Sequence, residues 1–182
     1  MKYKTILADP PWTYNNKRTG KSMSSGSAQK YPVMSLKEIC DLPVTEISDK
    51  DSVLFLWSTI PLIEYGFEVM KSWGYQYKTT IVWKKITHLG MGFWFRGQVE
   101  VCLFGIRGKV KPFRYQKSNF IQSKPGKHSE KPQEFFDLID PIAPLPKIEL
   151  FARTKREGWD CWGDEVESDI ELGNCKEVLN DK

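Results

Sequence analysis

"ILADPPWTY" (residues 6–14) is an apolar run that ends abruptly in an acid, two prolines and a tryptophan. Proline continues neither a sheet ladder nor a helix, and the residue before a proline is pushed towards extended backbone. Asp9-Pro10-Pro11-Trp12 therefore reads as a stiff, open corner at the end of a buried strand, poor in backbone donors, with a carboxylate at its entrance. Taken alone, it is no more than a strand-ending turn. Its meaning depends on what the rest of the chain brings beside it.

Moving outward, "YKTILA" (3–8) predicts a buried strand. A basic Gly/Ser-rich stretch follows and reads as a loop. "SLKE" (35–38) is a capping box that starts a short helix at Ser35. "VLFLW" (53–57) predicts a strand. Ser58 or Thr59 is placed to cap the next helix, with Pro61 in its first turn and Gly74 at its end. Ile63, Phe67, Met70 and Trp73 recur at helical spacing and are expected inward. Further strands are expected at 77–83, 98–106 and 147–152, and a helix at 129–140 with Phe135, Leu138 and Ile139 inward. The alternation of elements, with strands apolar on both faces, predicts an α/β fold: a mainly parallel sheet with helices on both faces. One domain is expected over 1–166, followed by a polar tail over 167–182. In such folds ligands bind beyond the carboxyl ends of the strands, which is where "ADPPW", "WSTIP" and "ARTKREGW" leave their strands.

The 182 residues carry a net charge of +4, 40% hydrophobic and 27% charged residues, typical of a globular protein. The charge is segregated. Lys17, Arg18, Lys21 and Lys30 lie in an acid-free stretch, as do Arg107, Lys109, Lys111, Arg114, Lys117, Lys124 and Lys127. The rest of the chain is net acidic, so a surface facing a polyanion is expected. No segment is long and apolar enough to span a membrane, and no signal peptide is read. Cys40, Cys102, Cys161 and Cys175 form no CxxC pair, so free thiols in a cytosolic chain are expected rather than disulfides or a metal site. Gly20-Lys21-Ser22 resembles the end of a phosphate loop, but Asn15 stands where that motif needs glycine. The His-x-Glu and Pro-Cys-x-x-Cys spacing of base deaminases is missing. His88 and His128 sit in loop and cap contexts, and no nucleophile elbow supports a serine hydrolase.

The corner suits methylation of an exocyclic amino group. The lone pair of such a nitrogen is delocalised into the ring. A carboxylate and a neighbouring peptide carbonyl can both accept from the NH2 and draw it towards tetrahedral geometry. Proline supplies a carbonyl with no competing N–H. Trp12 offers a face for base stacking, worth roughly 1–3 kcal/mol. A methyl donor held in line then needs mainly positioning.

"ADPPW", "YPVMSLKEI", "VLFLWST", "GMGFWFRGQVE", "HSEKPQE" and "KIELFARTKREGWDCWGDEV" occur in that order. The set resembles the family of the seventy-kilodalton subunit of messenger-RNA adenosine methyltransferase, in its small bacterial and phage form, over about residues 3 to 166. The resemblance implies a Rossmann-like methyltransferase fold with permuted motif order. It also implies S-adenosylmethionine as cofactor and N6-methyladenine in nucleic acid as product. DNA is favoured over RNA because no appended RNA-binding module is recognised.

By the same resemblance, Asp9 and the Pro10 carbonyl hold the amino group, within a catalytic motif completed by Pro11 and Trp12. Lys131 meets the cofactor's methionine carboxylate, Arg153 contacts the cofactor, Asp164 and Glu165 bind its ribose, and Asp9 also touches it. Tyr31, Trp57, Lys84 and Arg96 are expected to line the base pocket, with core packing as the alternative for Tyr31 and Trp57. Phosphate contacts are expected from the basic 101–127 stretch. Ala152 and the acids Asp164-Glu165 depart from the glycine and amide pair common in the family. Only eight residues precede Asp9, so a segment that contacts the cofactor's adenine in larger relatives is expected to be missing. An idle nucleic-acid-binding partner subunit and a cytosine-N4 methyltransferase are the alternatives, and assembly as a homo- or heterodimer is left open.

Overall fold

The strand β1 (Tyr3–Ala8) is the hub of a seven-stranded sheet. The computed structural model of the chain describes residues 1–13, 33–87, 94–126 and 130–172. β1 pairs in parallel with β2 (Ser48–Thr59) on one side and with β6 (Lys147–Leu150) on the other. β7 (Asp160–Trp162) continues in parallel beyond β6. Beyond β2 lie β4 (Val99–Arg107), β3 (Gln76–Lys85) and β5 (Phe120–Ser123), giving the order β5-β3-β4-β2-β1-β6-β7. β4 is antiparallel to both of its neighbours, and the others run one way. The expected mainly parallel sheet is thus present, with one reversed strand.

Two apolar layers cover the sheet. The helices α1 (Leu36–Asp41), α2 (Val44–Ile47) and α3 (Ile63–Ser72) pack one face, where Ile6, Leu54, Leu56, Ile148 and Leu150 meet Ile39, Val69, Met70 and Trp73. The helix α4 (Gln133–Ile139) covers the other, where Leu7, Phe55, Trp57 and Trp83 meet Phe135, Phe136 and Ile139. Residues 6, 7 and 8 alternate between these layers, as the period of two in a strand requires. Their burial on both faces explains the continuous apolar run in the sequence.

Several boundaries differ from expectation for identifiable reasons. The Ser35–Glu38 capping box is formed as predicted. Neither Ser58 nor Thr59 caps α3. Ser58 Oγ donates instead to Leu62 O at 3.2 Å, and a 3₁₀ turn over Ile60–Leu62 carries Pro61 before the α-helix begins. Gly74 ends α3 with φ 77°, the left-handed turn for which glycine is suited. Phe67 is 39% exposed instead of core-facing, and it meets Tyr77 edge-on at 5.1 Å. β6 stops at Leu150, short of residue 152, because Phe151 adopts φ 61°. α4 starts at Gln133, after Pro132. β5, β7 and α2 had no sequence reading.

From residue 167 to 172 the chain is still packed. Asp169 accepts from the Cys161 amide at 2.9 Å, and Leu172 is buried. Among the described cysteines, Cys40, Cys102 and Cys161 are free thiols. No described helix is long and apolar enough to cross a membrane.

Leu54 sits on the α3 face of the central strand β2 with no solvent exposure. Leu54→Ala is expected to cost about 2–5 kcal/mol, as large-to-small core truncations do, read as a lower urea midpoint with an unchanged m-value. A shift below about 0.5 kcal/mol, the range of ordinary surface substitutions, would contradict this packing.

Candidate active site at the carboxyl edge of the sheet

Because β1, β2, β3 and β6 share a direction and β4 is reversed, one edge of the sheet collects the ends of the first four and the start of β4. The Asp9–Trp12 corner leaves β1 there. Pro10 O accepts the Trp12 amide at 2.9 Å, a tight turn that leaves the carbonyl its second lone pair. Pro11 O accepts the Met34 amide at 2.9 Å, which ties the corner to the start of α1. Trp12 is only 8% exposed, packs in the α1–α3 layer and donates its indole N–H to Trp57 O at 3.3 Å. The face expected to stack on a base is therefore turned into the core.

Asp9 forms an ion pair and hydrogen bond with Lys131 Nζ. The Lys131 side chain is 11% exposed. Its ammonium also lies 3.7 Å from Glu100 Oε2 and 5.1 Å from the centre of the Trp57 ring. Glu100 in turn pairs with Lys85. Burial works against the charge on Lys131, but the Asp9 and Glu100 carboxylates outweigh it and hold the ammonium above the usual lysine range. Trp57 is 1% exposed and packs against Trp83 and Phe135, so core packing and not pocket lining is what the structure gives it. Its indole N–H is buried without a hydrogen-bond partner, as is Arg156 Nε.

Three of these residues were missed by the sequence reading: Glu100, Glu149 and Arg156. Glu149 interrupts the apolar run of β6, on the face opposite to the buried Ile148 and Leu150. It lies beside Leu7, the residue two before Asp9. Burial pushes its carboxyl up to about 7, and Asp9 adds to that. Arg156 and Lys131 pull the other way. Arg156 lies flat on the Phe136 ring at 3.3 Å and points an N–H at Gln133. For Glu100 and Glu149 the available signal was an ionisable residue inside an apolar strand, where charge is seldom buried without purpose; Arg156, in the β6–β7 connection, carried no such signal.

Arg153, just past β6, is 3.6 Å from Glu165 through Nε, and Asp164 beside it is exposed. Strand pairing of β6 with β7 brings these residues together. Gly163 makes that approach feasible, because a Cβ there would stand 2.2 Å from Ala152 O. Lys84 and Arg96 are exposed, at the end of β3 and just before β4. Tyr31, His88, His128, Cys175 and the Gly20-Lys21-Ser22 stretch lie outside the described residues. The basic 101–127 stretch divides. Arg107 donates to Thr45 O at 3.2 Å and the Lys109 amide to Asp51 at 2.6 Å, both at the edge opposite Asp9. Those two residues cannot serve a strand bound at the corner. Lys124, next to the end of β5, is on the same edge as Asp9.

The family model described as MT-A70 matches residues 3–165. The chain belongs to the MT-A70 family. A type II methyltransferase, M.MunI, from Mycoplasma sp is 37% identical over 200 aligned positions, taking in 100% of this chain and 85% of that relative. A protein from Medicago truncatula, described as a putative N(6)-adenosine-methyltransferase MT-A70-like, is 29% identical, covering 91% of this chain. The human N(6)-adenosine-methyltransferase catalytic subunit METTL3 is 29% identical over 161 positions, 84% of this chain. The chain spans 26% of each of these last two. The family read from the ordered motifs is therefore the one found, and the sheet with helices on both faces agrees with an α/β methyltransferase fold.

Glu149 carries a testable sign. An acid raised from 4.5 to about 7 by folding binds its proton more tightly in the native state. Its contribution to stability is therefore greatest below pH 4.5 and is lost as pH rises towards 7. Glu149→Gln should match the wild type at pH 4.5 and exceed it by on the order of 3 kcal/mol at pH 8, measured as paired urea titrations. Equal stability at both pH values would show that the carboxyl is solvated.

Proposed function

We propose that this methyltransferase transfers the methyl group of S-adenosylmethionine to the N6 amino group of adenine in nucleic acid, with DNA ahead of RNA. The observation that carries the reading is the Asp9 carboxylate at the end of β1, held by the buried Lys131 beside a proline carbonyl. In this reading Asp9 and Pro10 O accept the two N–H bonds of the amino group and turn its lone pair towards the incoming methyl. The Asp9 carboxylate is also within reach to take the proton that the nitrogen sheds. Burial of Trp12 fixes the corner, so both acceptors are set before the base arrives, which is where positioning lowers a barrier.

The residues fit the cofactor. An ammonium has three donors and Asp9 takes one, which leaves Lys131 able to receive a carboxylate. Trp57, whose ring lies 5.1 Å from the ammonium, carries a buried N–H without a partner. Arg153, Asp164 and Glu165, at the adjoining ends of β6 and β7, would hold the sugar side, where carboxylates accept from ribose hydroxyls. When bound, S-adenosylmethionine supplies an electrophilic methyl on a sulfonium that leaves as a neutral thioether. Lys84 and Arg96 would meet phosphates of the substrate. DNA is placed first because the relative of comparable length is a type II methyltransferase, whereas the adenosine methyltransferases match over about a quarter of their length. The expected compartment is the cytosol.

Incubation with methyl-labelled cofactor and matched DNA and RNA pools, followed by nucleoside digestion and mass analysis, tests the reading. N6-methyldeoxyadenosine is expected. N4-methylcytosine, or no labelled nucleoside from either pool, would overturn it. Asp9→Ala should lower transfer by roughly 10²–10⁴-fold with the fold retained by circular dichroism, and unchanged turnover would remove Asp9 from the chemistry.

A further inference from the structure

Trp94 and Phe95 are adjacent, followed by Arg96, and expose 93% and 92% of their surface. Large aromatics left in water cost hydration free energy, and a pair side by side marks a contact surface. Their position is defined by the strands beneath. The Lys85 amide donates to Gln98 O at 2.8 Å and Gln98 Nε2 to Thr87 O at 2.9 Å, closing the neck between β3 and β4. Trp94 and Phe95 stand just beyond that neck. Lys85 at its base pairs with Glu100, Glu100 approaches Lys131, and Lys131 holds Asp9. The aromatic pair is therefore mounted on the strand ends whose side chains reach the reactive corner. Ile86 beside the neck is also exposed.

The charge around the pair selects the occupant. Lys84, Arg96 and Lys124 are exposed on this rim, and no acid occurs among residues 84–99. Lys84 lies opposite Val99 in one ladder and Gln122 in the other. Ile86 donates to Ser123 O at 2.8 Å, which brings Lys124 alongside. The acids nearby are Glu100, already paired with Lys85 and Lys131, and Glu130. Flat apolar faces set among unpaired-sign cations match unstacked bases on a phosphate chain, since every base offers a π-face and every linkage an anion. A protein partner would need an acid matched to each of the three cations, whereas a nucleic-acid strand presents an anion at every linkage beside every base.

We infer that Trp94 and Phe95 form a stacking platform for nucleotides that flank the target base, with Lys84, Arg96 and Lys124 on their phosphates. The enzyme then prefers a strand whose bases next to the target are unpaired. This rests on the nucleic-acid reading above. It also accounts for where base stacking occurs, given that Trp12 and Trp57 are buried.

The test uses the full chain and a fluorescein-labelled single-stranded oligodeoxynucleotide with one central adenine among thymines. The second probe is the same oligomer with the two neighbours on each side made abasic. Trp94→Ala/Phe95→Ala should weaken binding of the intact probe by roughly tenfold or more, and Trp94→Phe should retain most of it. The abasic probe should bind wild type and double variant alike, the signature of a lost pairwise contact. Equal binding of the intact probe by wild type and double variant overturns the platform. So does a wild-type dimer in sedimentation that the double variant abolishes, because the rings then cover a second copy. If wild type methylates the probe and the double variant does so with equal kcat/KM, the platform fails and the methyltransfer reading stands. If wild type methylates no nucleic acid, that reading fails first.

Discussion

The ammonium of Lys131 sits where the sheet would otherwise have two carboxylates facing one another across a tryptophan. In the order β4-β2-β1, Glu100 stands at the start of β4, Trp57 near the end of β2 and Asp9 just after β1. Lys131 spans all three, with an acid on either side and the Trp57 ring 5.1 Å below. Burying one cation is costly, and two anions together repay it. Removal of Lys131 would leave Asp9 without its cation and Glu100 with Lys85 alone, whereas loss of either acid leaves the lysine still paired with the other. The corner therefore gains its geometry from a cation that enters with α4, far away in sequence.

The reversed strand makes this arrangement possible. Had β4 run with its neighbours, Arg107 and not Glu100 would stand at the reactive edge. Reversal instead places Glu100 beside Lys131 and starts β4 at the same edge where β3 ends. The same reversal carries Arg107 and Lys109 to the far edge, where they fasten to Thr45 and Asp51. A linear run of basic residues is thus split between two opposite edges. The charge count of a stretch is legible in sequence, but its direction in space depends on how many times the chain crosses the sheet.

What could be read from the chain follows the same division. β1, the capping box at Ser35, the Gly74 end of α3 and the corner itself are local, set by proline, glycine, side-chain caps and apolar runs. Their reading needed no partner. β5 and β7 escaped because they are 4 and 3 residues long and owe their existence to neighbours already in the sheet. Phe67 escaped because helical spacing predicts a face but not where the face stops being covered. Glu100, Glu149 and Arg156 lie inside motifs that were recognised as wholes. The roles of those residues depend on Lys131 and Phe136, which are distant in sequence and close only after folding.

Trp12 illustrates how burial changes the meaning of a motif. An aromatic after Asp-Pro-Pro invites a stacking role, since the ring is flat and the corner open. Here the ring enters the layer beneath α1, and its N–H reaches Trp57 O on the neighbouring strand. The two prolines fix φ at residues 10 and 11, and the hydrogen bond from the corner to the end of β2 adds a tether that they do not supply. Asp9 is fixed from the other side by Lys131. With Trp12 tied to Trp57 O and Asp9 paired with Lys131, the carboxylate is held next to the Pro10 carbonyl, and in the proposed reading a base with an amino group would meet acceptors that need little further ordering.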